Sequence, residues 1–266
     1  MRLDQFLVQF KQIESRTKAQ ELIDLGLVYI KKEKKVYFKK SSQQVEEADF
    51  LFIEIDPHTI DKYVSRAGYK LEGAVQQCGL KIAGQTVLDV GQSTGGFTDY
   101  LIQNFARQVI GLDVGHSQLH SRLKNHSQVV SIENLNVKNI KDHELLKDRK
   151  FDIIVCDVSF ISLTKVIPCI ANNLSDKGHF LFLVKPQFEC GPHFLDKNGV
   201  VTDASIYSEI QKNIELICQK EFNAITVYFE SVIQGKEGNR EFFVYGQKNS
   251  KNNDNENDNK NDEAKK

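Results

Sequence analysis

Residues 86–101, TVLDVGQSTGGFTDYL, join a strand to a helix through a turn of small residues. Val87, Leu88 and Val90 read as a strand that runs out in Asp89-Val90-Gly91, and a helix opens near Gly95-Gly96. In an open parallel sheet, ligands sit beyond the carboxyl ends of the strands, near the point where strand order reverses. Glycines at such a turn let a ligand approach the backbone closely. An ordinary strand–helix turn with a capping acid is the plainer alternative.

The spacing excludes two familiar ligand loops. A phosphate-binding P-loop requires GxxxxGK[ST], and no lysine follows Gly96; a dinucleotide fingerprint requires GxGxxG, and Ser93 stands at its second glycine. What remains is Asp89-x-Gly91-x-Ser93-x-Gly95-Gly96, with Phe97 opening the helix. An acid beside a glycine turn suits the sulfonium and amino groups of S-adenosylmethionine (SAM) better than a pyrophosphate. The next strand ends in Asp113-Val114, and Asp113 lies 24 residues after Asp89. An acid at that strand end can accept hydrogen bonds from ribose hydroxyls. The cofactor set is therefore Asp89, Gly91, Ser93, Gly95, Gly96, Phe97, Asp113 and Val114, with no metal required.

Around this turn, strand-like runs alternate with helical patterns: 86–90, 109–112, 129–132, 151–156, 180–184, 224–229 and 241–245. Such alternation implies right-handed βαβ units and a mostly parallel sheet covered on both faces. The run Phe180–Val184 is apolar throughout, as a strand buried on both faces should be, and it ends in Lys185. A lysine there is rarely buried without a partner.

Residues 1–56 read differently, as a small α+β unit. Leu3, Phe6, Leu7 and Phe10 have helical spacing, Ser15 caps a second helix that Gly26 ends, and short strands follow at 27–30, 36–38 and 50–55. The first 40 residues carry ten Lys/Arg against five Asp/Glu, and residues 41–56 carry five acids and no base. Either a solvated surface or an RNA-binding face has this look. Residues 57–63 form a linker, 64–247 the α/β domain, and 248–266 a tail. The last 18 residues hold seven Asn and no large apolar side chain, a composition that cannot offset ordering entropy.

The whole chain of 266 residues has net charge −1, so it is not a basic nucleic-acid binder throughout. Its five cysteines are singletons without a CxxC pair, which points to a reduced, cytosolic protein. The amino terminus has no apolar signal-peptide region, and no run approaches a membrane span of ~18 residues.

The blocks YVSRAGYKLEGAV, LDVGQSTGGFTDYL, LDVGHSQL, CDVSFISLTKVIP, LVKPQFECG and KEGNREFF occur in the order of the TlyA (haemolysin A) family, which the chain resembles over about residues 1–247. That resemblance implies a SAM-dependent 2′-O-methyltransferase of cytidine riboses in ribosomal RNA. It implies a Rossmann-like methyltransferase fold similar to the FtsJ family, with a mostly parallel seven-stranded sheet whose last strand is antiparallel. RLDQFLVQ and SRTKAQELIDLGLVYI resemble the RNA-binding domain of ribosomal protein S-four. Partners are then ribosomal RNA or ribosomal subunits, with no membrane and no obligate protein partner, in the cytoplasm. Three positions depart from the family: Ala67 for Gly, Gln92 for Ala, and His116-Ser117 for Tyr-Gly. Gln92 matters most, since it lengthens a side chain at the cofactor loop, and is read as tolerated.

The resemblance also implies a catalytic tetrad, matched here by Lys70, Asp157, Lys185 and Glu241. Residue reading agrees for Asp157 and Lys185, which follow apolar strands and so share the sheet edge of Asp89. Glu241 joins them if the last strand is antiparallel, and only the resemblance places Lys70. Lys185 is either a base with a depressed pKa or a charged group that orients the ribose hydroxyl. Asp157-Val158-Ser159-Phe160 lacks the proline pair of amino-group methyltransferases. Cys156 should point away from the site, and Cys190 is expected to be an inert thiol. His116 and His120 could share a helix face. Arg2, Arg16, Lys18 and Lys31 are the expected RNA contacts, at helix starts and a strand end, gripping phosphates. The competing readings are a non-catalytic RNA-binding assembly factor and a cytolysin.

Overall fold

Alternation of buried side chains builds the larger unit. Phe180, Phe182 and Val184 face one side of a central strand, and Leu181 and Leu183 face the other, so the five-residue run is buried on both faces. The computed structural model describes residues 1–24, 27–31, 35–38, 40–55, 62–235 and 238–249. The expected helix stop at Gly26, part of the linker and nearly all of the tail lie outside the described residues.

In the amino-terminal unit, α1 (Leu3–Phe10) and α2 (Arg16–Asp24) precede β1 (Val28–Lys31), β2 (Lys35–Tyr37) and β3 (Ile53–Ile55). The strands form an antiparallel sheet in the order β2-β1-β3. Ser15 accepts the amide of Lys18 at 3.1 Å, as a helix cap should. Leu3, Phe6, Leu7, Leu22, Ile23, Val28 and Ile53 make this unit's core. Residues 50–52, expected in the third strand, instead leave a short 3-10 turn at Glu47–Asp49.

The second unit runs α3 (Arg66–Cys78), β4 (Thr86–Val90), α4 (Gly96–Gln103), β5 (Gln108–Leu112), α5 (Ser121–Lys124), β6 (Val129–Ile132), β7 (Phe151–Cys156), α6 (Leu163–Ile170), β8 (Leu174–Val184), α7 (Pro186–Glu189), α8 (Ile206–Phe222), β9 (Thr226–Glu230) and β10 (Phe242–Gln247). The sheet order is β6-β5-β4-β7-β8-β10-β9. β4 to β8 pair in parallel, and β10 runs antiparallel to both its neighbours. Helices α3 and α4 cover one face through Leu71, Phe97 and Leu101, and α6 and α8 cover the other through Val166, Ile167, Ile210 and Ile214. β8 begins six residues earlier than its apolar run, because Leu174 already pairs with Phe151.

This topology puts the carboxyl ends of β4, β5, β7 and β8 and the start of β10 on one edge. Order reverses between β4 and β5 on one side and β7 on the other, which is where a crevice opens.

Candidate active site

The turn after β4 needs its glycines. Gly91 has φ +86° and Gly95 φ +91°, the left-handed region. A Cβ on Gly91 would also lie 2.5 Å from the Asp157 carbonyl oxygen, so glycine lets the turn pack directly on the strand end that carries Asp157. Asp113 ties the rim together: its Oδ2 accepts the Ser93 amide at 2.8 Å and its Oδ1 the Gly115 amide at 2.7 Å. A hollow of about 520 Å³ opens here, lined by Gly91, Ser93, Asp113, the exposed Val114, Asp157 and Phe160 among others. A smaller one of about 170 Å³ adjoins it, lined by Gly91, Ser93, Gly96, Phe97, Asp157 and Lys185 among others. Asp89 lines neither; it lies beneath the turn, wholly buried.

Two ion pairs lie at this edge, and one of them, Lys185–Asp157, lines the smaller hollow. Lys185 Nζ lies 2.6 Å from Asp157 Oδ1 and donates to Ser159 Oγ at 2.9 Å. Lys70, on α3, pairs with Glu241 at 2.5 Å, both nearly inaccessible to water. The antiparallel β10 delivers Glu241, which immediately precedes its first paired residue. Burial lowers the pKa of Lys185, but Asp157, by charge and hydrogen bond, and the Glu241 charge outweigh it, and the net shift is upward. Lys185 therefore carries its proton in this arrangement. Asp89 also shifts upward, which in an acid favours the neutral form: burial, with help from the Asp157 and Asp113 charges, raises it to about 7 against the hydrogen bond from Thr98. Thr98 Oγ1 donates to Asp89 Oδ2 at 2.6 Å, while Asp89 Oδ1 is buried without a hydrogen-bond partner.

Two contributors, Ser159 and Glu189, escaped the sequence reading. Ser159 holds Lys185. Glu189 accepts Ser162 Oγ at 2.6 Å and the Leu163 amide at 2.8 Å, so it caps α6 and locks the start of α6 to α7. The lone signal for it was an acid four residues beyond Lys185. Gln92 borders the smaller hollow, but its side chain is turned down into the fold and the residue is 4% exposed. Cys156 faces the α6 and α8 side, as strand alternation predicts, and burial pushes the thiols of Cys156 and Cys190 upward. His116 and His120 do not share a helix face, because residues 113–120 form bends and His120 instead caps α5 through the Arg122 amide. Among the described residues no group of three His, Cys, Asp or Glu could hold a metal, and no helix is long and apolar enough to cross a membrane.

In the amino-terminal unit the four cations sit where the sequence reading put them. Arg2 immediately precedes α1, Arg16 opens α2, Lys18 is in its first turn, and Lys31 ends β1 within 3.8 Å of Glu54. Arg2 and Arg16 converge on one buried acid, Asp4, at 2.9 and 3.0 Å.

A parallel sheet with an antiparallel strand inserted near one edge, and a glycine turn opening a crevice at its carboxyl edge, is the Rossmann-like fold of the SAM-dependent methyltransferases. The family model of FtsJ-like methyltransferases matches residues 63–248. Hemolysin A of Brachyspira hyodysenteriae is 38% identical over 92% of this chain and 99% of its own length. The 23S rRNA (cytidine-2′-O)-methyltransferase TlyA of Campylobacter jejuni is 36% identical over 94% of this chain and 100% of its own. The solved structure of a candidate hemolysin from Streptococcus thermophilus, 30% identical, superposes with a TM-score of 0.68 over 94% of this chain and 89% of that one. The chain belongs to the FtsJ-like methyltransferase family, among its hemolysin A and TlyA members.

Proposed function

We propose that this methyltransferase transfers the methyl group of SAM to the 2′-hydroxyl of a cytidine ribose in ribosomal RNA. The observation that carries the reading is the pair of nearly buried ion pairs, Lys185–Asp157 and Lys70–Glu241, at the edge where the glycine turn opens its crevice. The name of the Campylobacter jejuni relative supplies the substrate and the reacting atom. Action on ribosomal RNA makes the cytoplasm the expected location.

The site suits SAM on its own chemistry. Asp113 and Val114 rim the larger hollow, where an acid can accept ribose hydroxyls. Asp89 Oδ1, buried and without a hydrogen-bond partner, suits the cofactor's amino group. Gly91, Ser93, Gly95, Gly96 and Phe97 form the turn and helix start between them. When bound, the cofactor supplies an electrophilic methyl on a sulfonium, and the chain must aim an oxygen lone pair at it.

Lys185 does the aiming. Held charged by Asp157 and Glu241, it donates a hydrogen bond to the ribose oxygen rather than removing its proton in the resting site. Placement in line with the methyl then supplies most of the rate. The hydroxyl becomes acidic only as its oxygen gains its third bond, to the methyl carbon, so its proton leaves late, when the Asp157 carboxylate suffices as acceptor. Lys70 and Glu241 hold one another and keep a negative charge near Lys185.

The amino-terminal unit acts as the RNA clamp. Arg2, Arg16, Lys18 and Lys31 grip phosphates without reading sequence, and tethering raises the local concentration of the methyltransferase unit at its target. Ribose-methylation mapping of ribosomal RNA, from cells with and without this protein, tests the whole reading. Loss of a cytidine 2′-O-methyl is expected. SAM binding with no change in the map would favour a non-catalytic assembly factor.

A further inference from the structure

Gln92 breaks the family's pattern of a small residue after the first glycine, and its side chain is fully engaged beneath the cofactor turn. It fills the space above Gly111 on β5, where even a Cβ would lie 2.1 Å from its amide carbon. Its Oε1 accepts Ser131 Oγ, from β6, at 2.6 Å, and its Nε2 donates to Thr98 Oγ1, on α4, at 2.9 Å. Thr98 in turn donates to Asp89 Oδ2 at 2.6 Å, and Thr98 and Asp89 are both 0% exposed.

The direction of this chain of bonds follows once Asp89 is ionised, the state that pairs with an amino group. An ionised carboxylate only accepts, so the single hydroxyl proton of Thr98 goes to Asp89. Thr98 can then only accept from Gln92, which must present its NH₂ there and its carbonyl to Ser131. Two strands, the cofactor turn and a helix are thereby tied to one orientation of the Asp89 carboxylate, the one that commits Oδ2 and leaves Oδ1 without a partner.

We propose that Gln92 is a positioning residue, which acts through Thr98 to hold the Asp89 carboxylate beneath the cofactor turn with Oδ2 committed and Oδ1 left for the amino group of the cofactor to claim on binding. This rests on SAM being the bound group. Without the Gln92 donor, the Thr98 oxygen loses the bond that holds it in place, and its bond to the committed oxygen of the carboxylate loses that support. Bonds in such a buried chain polarise one another, so the loss propagates.

The test is binding, not turnover. Calorimetry of the full chain would use two ligands: S-adenosylhomocysteine, which keeps the amino group, and 5′-methylthioadenosine, which lacks it. Gln92→Met fills the same space without hydrogen bonds, and Thr98→Val removes the hydroxyl. Each substitution is expected to weaken S-adenosylhomocysteine about tenfold, the scale of one hydrogen bond to a charged group. Methylthioadenosine affinity should stay within about twofold. In the double variant the loss should be no larger than in the worse single variant, because the two act in series. Equal weakening of both ligands would make Gln92 a packing residue and overturn the proposal, as would strictly additive losses. If the wild-type chain binds neither ligand, it is the SAM reading that fails.

Discussion

Asp4 and Asp89 are both 0% exposed, one in the amino-terminal unit and one under the cofactor turn, yet their surroundings drive them in opposite directions. Asp4 accepts from Arg2 through two nitrogens at 3.0 and 2.9 Å, from Arg16 and Gln20 at 3.0 Å each, and from the Gln5 amide at 2.9 Å. Those donors, Arg2 first, hold its carboxyl well below the usual range despite burial. Asp89 has the Thr98 hydroxyl on one oxygen and no partner on the other; burial raises it to about 7. Burial alone thus does not decide the state of a carboxylate; the number and charge of its donors do. The fully supplied acid is part of the frame. The half-supplied one is poised for a ligand.

The largest effect should come from Lys185, the cation paired with a third acid, Asp157. Lys185→Ala should cut single-turnover methylation of ribosomal RNA by about 10²–10⁴-fold while SAM binding survives, the range for a group acting on a reacting proton or oxygen. Lys185→Arg keeps the charge and should retain at least ~10-fold more activity than Lys185→Ala. Arginine no better than alanine would favour a neutral, basic lysine instead.

Next comes the contrast itself. Asp89 has a raised pKa in the fold, so its contribution to stability is fully present below pH ~4 and is lost as pH rises through about 7. Asp89→Asn should therefore stabilise the ligand-free chain at pH 7 by up to about 4 kcal/mol, while weakening SAM. Asp4 has a lowered pKa, so its contribution is present above pH ~4 and is lost only as the solution is made strongly acid. Asp4→Asn should destabilise by ~2–3 kcal/mol at pH 7, because one acid anchors two guanidinium groups. Urea unfolding of both variants reads the two signs, and a shift in the same direction would break the comparison. The smallest effect is expected where a pair faces water. Glu230, 2.6 Å from Arg240, has a side chain 44% exposed, and Glu230→Gln should change stability by no more than ~1 kcal/mol in the same assay.

Much of the fold was legible because strand signals are local. β4, β6 and β7 match the residue ranges read from alternation and apolar runs. A lysine closing an apolar strand marked Lys185, and an acid closing FDIIVC marked Asp157, since parallel strands end on a common edge. Less local features were blurred. β8 extends six residues beyond its apolar run because Leu174 finds a partner on β7. The helix face expected for His116 and His120 gave way to bends shaped by Asp113, which captures the Gly115 amide.

By itself, then, the sequence determined the alternation of strands and helices, the glycine turn and the sheet edge on which the charges gather, because periodicity and steric freedom act over a few residues. Tertiary structure decided the partners. Lys70 meets Glu241 across 171 residues because β10 inserts between β8 and β9. Gln92 turns inward because Gly111 leaves room and Thr98 and Ser131 supply its bonds. Asp4 gathers Arg2, Arg16 and Gln20 where α1 packs on α2. A polar side chain's role depends on which donors and acceptors surround it in space, and only the packed fold brings them within hydrogen-bond reach.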